Sequence, residues 1–160
     1  MTHREAAARL LEMDRVLILT HVRPDGDTVG CAAALCAALR KLGKTAYLYP
    51  NPGITKTYES YAAPYWAEED FAYDYVVAVD IATLGMLPEN AQHFEGKIDL
   101  SIDHHPSNSF YAKENLVVPT AAAAGEIMYE VVRQLVEIEG EMALGICVLR
   151  ADESVCTYER

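Results

Sequence analysis

The chain has 160 residues, of which 51% are hydrophobic and 23% charged, proportions that exclude wholesale disorder and repetitive fibrous architecture. Against 13 Lys and Arg stand 24 Asp and Glu, a net charge of −11. That argues against broad binding to duplex nucleic acid, which needs a basic face, but leaves short phosphorylated ligands open, because a bound cation inverts the local field.

Residues 3–13 carry apolar positions at helical spacing and predict a short helix. Arg15–Thr20 (RVLILT) is a short run of branched apolar residues, the pattern of a buried strand. The polar stretch from His21 to Asp27 follows, where Pro24 and Gly26 exclude regular helix. Thr28 to about Leu42 is small, apolar and Ala-rich. It predicts a helix lying close on a sheet, capped by Asp27 or Thr28 and stopped at Gly43. Thr45–Tyr49 predicts the second strand. Residues 50–74 are interrupted by Pro50, Pro52, Gly53 and Pro64 and crowded with Tyr58, Tyr61, Tyr65, Trp66 and Tyr73. Such aromatics could stack on a nucleobase; a loop and short helix covering the sheet edge is the simpler expectation.

Tyr75–Val79 predicts a third buried strand, ending in Asp80, with a short helix around Pro88–Phe94. Lys97–Ile102 predicts a fourth strand, ending in Asp103, His104 and His105. Leu116–Val118 fits a short fifth strand, and Thr120–Ile138 a long amphipathic helix with Thr120 as its cap. Glu141–Leu149 fits a helix or a buried strand, and Arg150–Arg160 takes no assignment. Strands alternating with helices predict an α/β fold, a doubly wound, mostly parallel sheet with helices on both faces, within one domain over residues 1–160. Cys31, Cys36, Cys147 and Cys156 form no C-x-x-C pair and read as buried thiols of a reducing compartment. No secretory pattern opens the chain and no apolar run reaches membrane-spanning length. The expected location is the cytoplasm, with no membrane partner.

In a doubly wound sheet, ligands bind at the carboxyl ends of the strands, where the polar residues of this chain gather. His21, Asp25 and Asp27 follow strand one, Asp80 follows strand three, and Asp103, His104 and His105 follow strand four. Each has an ordinary explanation alone: Asp beside Pro and Gly is a turn residue, Asp at a strand end caps a helix, and a lone His is commonly structural. Together they bring carboxylates to one rim, where mutual repulsion would raise their pKa values unless a cation intervened. A donor set of carboxylate and imidazole without thiolate favours Mn²⁺, with Mg²⁺, Co²⁺ or Fe²⁺ as alternatives, over structural Zn²⁺. Asp25 and Asp27 could each serve one of two ions about 3.5–4 Å apart, with Asp80 between them, a pairing suited to in-line attack on phosphorus.

These motifs, HVRPDGDTVG, the Asp80 strand end and SIDHHPSN, with the later GEIMYEVV, resemble the DHH phosphoesterase superfamily. Within it they look most like the nanoRNase branch, bifunctional oligoribonucleases that also dephosphorylate 3′-phosphoadenosine 5′-phosphate (pAp). The resemblance runs from about Val16 to Glu130. It implies that His21, Asp25 and Asp80 bind a first metal ion, and Asp27, Asp80 and His104 a second. Asp152 would complete the second site, although the family's Thr-Asp-Thr-Gly is here Ala151-Asp152-Glu153-Ser154. His105 would contact the scissile phosphate with Arg23 as a further substrate contact, and Asp103 would orient its histidine neighbours. The implied reaction is one-step hydrolysis with inversion at phosphorus, on short oligoribonucleotides or small nucleotides, by a chain compatible with a homodimer. The family normally continues into a C-terminal substrate-binding domain that nothing before Arg160 matches, so the resemblance implies, as an expectation, a catalytic domain truncated near its end. Other readings are a metal- or nucleotide-binding module without catalysis, a cyclic-dinucleotide phosphodiesterase and a Mn²⁺ pyrophosphatase. The last ranks lower because its Asn-Pro-Asp-Thr-Asp turn is here Arg23-Pro24-Asp25-Gly26-Asp27.

Overall fold

The computed structural model describes residues 1–139, 146–150 and 153–159. Five parallel strands form its sheet: β1 (Val16–Leu19), β2 (Ala46–Leu48), β3 (Tyr75–Val79), β4 (Leu100–Asp103) and β5 (Glu114–Val117), in the order β2-β1-β3-β4-β5. β1 is buried along its whole length, which is why it reads as an unbroken apolar run rather than an alternating one. Chain order reverses between β1 and β3, and the crevice outside the carboxyl ends of these two strands is where doubly wound sheets take ligands.

Three helices cover one face: α1 (His3–Glu12), α2 (Gly26–Lys41) and α4 (Ala124–Glu139). Their Leu10, Leu35, Leu39, Val131 and Leu135 share one core with Ile18, Val77 and Ile102 of the sheet. The alanines and cysteines of α2, including buried Cys31 and Cys36, leave room for it to lie close on the strands. The opposite face is covered by 3₁₀ turns, Leu84–Met86 and Glu89–Phe94. These place Leu87, Ala91 and Phe94 over Leu17, Leu19, Val76 and Ala78. The predicted helix around Pro88–Phe94 is therefore 3₁₀.

α3 (Lys56–Ala62) follows β2, and Trp66 bridges Leu48 at the sheet edge. Tyr58, Tyr61, Tyr65 and Trp66 pack against the core, and the Arg40 guanidinium lies over the Tyr47 and Tyr65 rings at 4.3 and 5.0 Å. The covering role expected of this aromatic segment is what its contacts show. β6 (Ile146–Arg150) and β7 (Glu153–Glu159) form an antiparallel hairpin, so the described part of 141–149 is strand.

Two caps differ from the sequence expectation. α2 begins at Gly26, and its cap is Asp25, whose carboxylate accepts from the Asp27 and Thr28 amides at 3.0 and 3.2 Å. α4 begins at Ala124, four residues after Thr120, and its first amides are capped from another helix. Ala124 N–H and Gly125 N–H both donate to the Asp27 carboxylate at 2.8 Å.

Candidate active site

The rim residues converge because each loop is tied to the next strand. Thr28 Oγ1 donates to the Val79 carbonyl at 2.9 Å, which seats the start of α2 beside the end of β3. The buried Asn51 carboxamide, after β2, donates to Thr20 Oγ1 at 2.9 Å and to the His21 carbonyl at 2.8 Å, and accepts from Gly53 N–H at 2.9 Å. Gly53 lets that segment press on the His21 turn, for a Cβ there would stand 2.8 Å from the Val22 carbonyl oxygen and 2.9 Å from Pro24.

Asp80 is the centre of the site. It is 2% exposed and has a left-handed backbone, φ 60°. Its Oδ2 lies 3.6 Å from His21 Nε2; its Oδ1 lies 3.6 Å from His104 Nε2 and from His105 Nδ1. His21 Nε2 is also 3.7 Å from Asp25 Oδ1, and His104 Nε2 is 3.9 Å from Asp27 Oδ2. Two groups of donors therefore share Asp80: His21 with Asp25, and His104 with His105. The donor atoms within each group all lie within 4.8 Å of one another.

The two neighbouring histidines have different second contacts. His104 Nδ1 meets the Ala121 carbonyl at 3.3 Å, which leaves Nε2 facing Asp27 and Asp80. His105 Nδ1 bonds Asp103 Oδ1 at 2.7 Å, so Nε2 is its free nitrogen. Asp103 is fully buried, and its other oxygen accepts from Asn108 Nδ2 at 2.7 Å. Asp103 thus orients His105, while a backbone carbonyl orients His104. A carbonyl or a carboxylate behind the imidazole is a common partner of a metal-binding histidine.

The electrostatics are those of acids held against their preference. Burial raises the pKa of Asp80, and the like charge of Asp27 adds to it against the pull of His21. Burial alone would lower His21, but Asp25 and then Asp80 outweigh it and push its pKa up to about 9. His21, and then the Thr28 and Asp27 amides, hold Asp25 below its usual value against burial. Asp80 Oδ1 is buried with no hydrogen-bond partner, a costly state for a carboxylate oxygen. A divalent cation fits this arrangement: it would partner that oxygen and screen the acids, and the carboxylate–imidazole set is of the kind that Mn²⁺ or Mg²⁺ accepts.

Around these residues lies an open cleft of about 420 Å³, walled by Val22, Arg23, Met86, Ala122 and Ala123. Of the sequence-predicted site residues, the structure brings together His21, Asp25, Asp27, Asp80, His104 and His105, with Asp103 behind His105 and Arg23 at the rim. Asp152 lies outside the described residues. Asn51, Asn108 and Tyr111 carry the site without having been assigned a role. Asn108 stands within the quoted SIDHHPSN segment, the one signal that could have found it.

The family described as "DHH family, N-terminal domain" matches residues 15–149. This chain belongs to the DHH family. It is 32% identical over 133 residues to the bifunctional oligoribonuclease and PAP phosphatase NrnA of Thermus thermophilus, an alignment covering 80% of this chain and 40% of that protein. Its fold is similar to that of an exopolyphosphatase-related protein from Bacteroides fragilis, with a TM-score of 0.70 at 18% identity over 83% of this chain and 43% of the other. It is also similar to exonuclease RecJ in a manganese-bound structure, with a TM-score of 0.57 at 18% identity over 88% and 38%. The chain thus spans about two fifths of the length of each of these proteins. Among the described residues, no helix is long and apolar enough to cross a membrane.

Proposed function

We propose that this chain is the catalytic domain of a two-metal phosphoesterase that hydrolyses short oligoribonucleotides and pAp-like nucleotides in the cytoplasm. The observation that carries the proposal is Asp80, buried between two donor groups with one carboxylate oxygen unpartnered. His21, Asp25 and Asp80 would hold one ion, and Asp27, Asp80 and His104 a second, with Asp152 as a further ligand of the second. Mn²⁺ suits this set, with Mg²⁺ or Co²⁺ as alternatives, and a Mn²⁺-bound structural neighbour supports the choice. When bound, such a pair supplies an acidified water and neutralises phosphoryl charge.

The chain's own residues supply the rest. Asp103 accepts the Nδ1–H of His105 in a hydrogen bond, which aims Nε2 into the cleft, where the doubly protonated ring would donate to a phosphoryl oxygen as charge builds. Arg23 at the rim offers a second charge for a substrate phosphate. The cleft is too acidic to hold a phosphate without cations. The 32% identity to a bifunctional oligoribonuclease and PAP phosphatase supports the substrate class.

The test is phosphate release from pAp and mononucleotide release from a short oligoribonucleotide, with Mn²⁺ added and then chelated, beside Mn²⁺ stoichiometry by elemental analysis. Release that needs Mn²⁺, two ions per chain, and inversion at a chiral phosphorus are expected. A chain that holds no Mn²⁺ would overturn the proposal. Two bound ions without turnover on either substrate would favour a binding module.

A further inference from the structure

Asp80 owes its position to a backbone turn that few residues adopt. Its φ of 60° lies in the left-handed region, where a residue with a side chain is disfavoured unless its surroundings hold it. The Asp80 amide still belongs to the sheet, donating to the Ile102 carbonyl at 2.9 Å. The chain then turns, and its next two carbonyls are gripped by the loop that follows β4. Tyr111 Oη donates to the Ile81 carbonyl at 2.8 Å, Asn108 Nδ2 reaches the same oxygen at 3.4 Å, and Ser109 N–H donates to the Ala82 carbonyl at 3.0 Å. Ser101 Oγ donates to Tyr111 Oη at 3.3 Å, which leaves the tyrosine proton free for Ile81. The ring packs against the core beneath the 3₁₀ face. A phenylalanine would fill the same space, so the hydroxyl's distinct contribution is its bond to Ile81.

We infer that Tyr111 is a positioning residue: through the Ile81 carbonyl its hydroxyl holds Asp80 in the left-handed turn and so aims the carboxylate that the two donor groups share. The inference rests on the proposed reading that Asp80 serves bound ions. Tyr111 itself is not among the residues that line the cleft.

The experiment compares Tyr111→Phe with the unaltered full chain by Mn²⁺ titration calorimetry and by amide hydrogen exchange of the metal-free protein. The expected result is a fall in Mn²⁺ affinity of about tenfold or more. Exchange should accelerate at the amides of Asp80 and Ser109, which donate to the Ile102 and Ala82 carbonyls on either side of the turn, while the amides of α1 stay as they were. At saturating Mn²⁺, kcat for pAp should fall with KM little changed. Ser101→Ala leaves the Tyr111–Ile81 bond in place and should keep the original Mn²⁺ affinity. Phe94→Leu loosens the same core without touching the brace and supplies the control for general destabilisation. Unchanged Mn²⁺ affinity in Tyr111→Phe, or an equal loss in Phe94→Leu, would overturn the inference. If the unaltered chain bound no Mn²⁺, the phosphoesterase reading would fall separately. Exchange at the Asp80 and Ser109 amides would then still decide whether Tyr111 holds the turn, with unchanged rates in Tyr111→Phe counting against it.

Discussion

The two ends of the same sheet are both acidic, and they solve the problem in opposite ways. At the amino ends, every strand but the edge strand β2 starts beside an acid with a conventional partner. Asp14, ahead of β1, accepts from the Arg15 and Thr45 amides at 2.8 and 2.7 Å. Asp74, before β3, meets the Arg15 guanidinium at 2.8 Å. Asp99, before β4, binds Lys113 Nζ at 2.8 Å and the Val76 amide at 2.9 Å. Glu114, opening β5, meets Arg9 at 3.0 Å. At the carboxyl ends, Asp25, Asp27 and Asp80 face histidines and one another, with Arg23 the basic residue of the cleft wall. The count of acids therefore says little about function, while the kind of partner says a great deal. An acid whose oxygens are taken by lysine, arginine or amides is finished chemistry, as it is in part for Asp25 and Asp27, which accept from amides, whereas Asp80, buried among imidazoles with one oxygen unpartnered, suits a cation.

The largest expected effect lies at the unfinished end. Asp80→Asn keeps the volume but removes the charge that the two donor groups share, and phosphate release from pAp should drop by about 10³-fold or more. Metal-free stability should move the other way. Burial raises the Asp80 pKa in the folded chain, so its ionised form weakens folding above the usual carboxylate range. The Asn variant should then melt higher than the unaltered metal-free protein at neutral pH and gain less from added Mn²⁺. A variant that melts lower and gains as much would place Asp80 with the conventionally paired acids of the opposite rim.

Asp103→Asn sharpens the same contrast inside the site. Asp103 is as deeply buried as Asp80, but both its oxygens are used, by His105 and Asn108. An amide can accept from only one of those donors and presents its own N–H to the other. His105 then loses its orientation, and kcat should fall about 10- to 100-fold, with Mn²⁺ stoichiometry unchanged. Loss of bound Mn²⁺ in this variant would mean that Asp103 supports the ions rather than His105.

Much of this was legible in the sequence, for physical reasons that also mark where legibility stopped. RVLILT and YVVAV read as buried strands because parallel strands are covered on both faces, and acids following three such runs must meet at one rim. The cap of α2 is local and lies two residues before the expected Asp27, whereas the cap of α4 is a tertiary contact. No local pattern says that the amides of Ala124 and Gly125 will find Asp27, almost a hundred residues earlier. The short helix expected around Pro88–Phe94 is 3₁₀, and Gly85 and Pro88 sit within and between the short 3₁₀ turns of this face. Asn51 and Tyr111 were passed over because asparagine and tyrosine are ordinary in loops, and their work is on backbone carbonyls that a sequence does not display.

A pH dependence separates the two rims next. His21 has a pKa of about 9 in the folded chain against about 6.5 unfolded. Because the folded value is the higher, its contribution to metal-free stability is full below about 6.5 and is lost as pH rises through about 9. Mn²⁺ must displace that proton to use the imidazole, so apparent Mn²⁺ affinity should climb across the same window, by up to about tenfold per pH unit. His21→Gln should flatten both curves. A Mn²⁺ affinity independent of pH between 6.5 and 9 would remove His21 from the ligand set.

The smallest effect on activity belongs to the finished rim, and there the prediction is a null with a stability signature. Asp99→Ala takes the acceptor from the Val76 amide, which lies in a buried strand, and the partner from Lys113. Leaving a buried N–H unpaired costs about 1–3 kcal/mol, so the chain should unfold at lower denaturant concentration whether or not Mn²⁺ is present. Its Mn²⁺ stoichiometry and kcat for pAp should match those of the unaltered chain under conditions where both are folded. The contrast with Asp80→Asn is then one of sign: losing an acid from the carboxyl rim stabilises the metal-free chain and ends activity, whereas losing one from the amino rim destabilises it and leaves activity intact. A fall in kcat for Asp99→Ala at full Mn²⁺ loading would show that the two ends of β4 are mechanically coupled, and the division of the sheet into a finished and an unfinished rim would not hold.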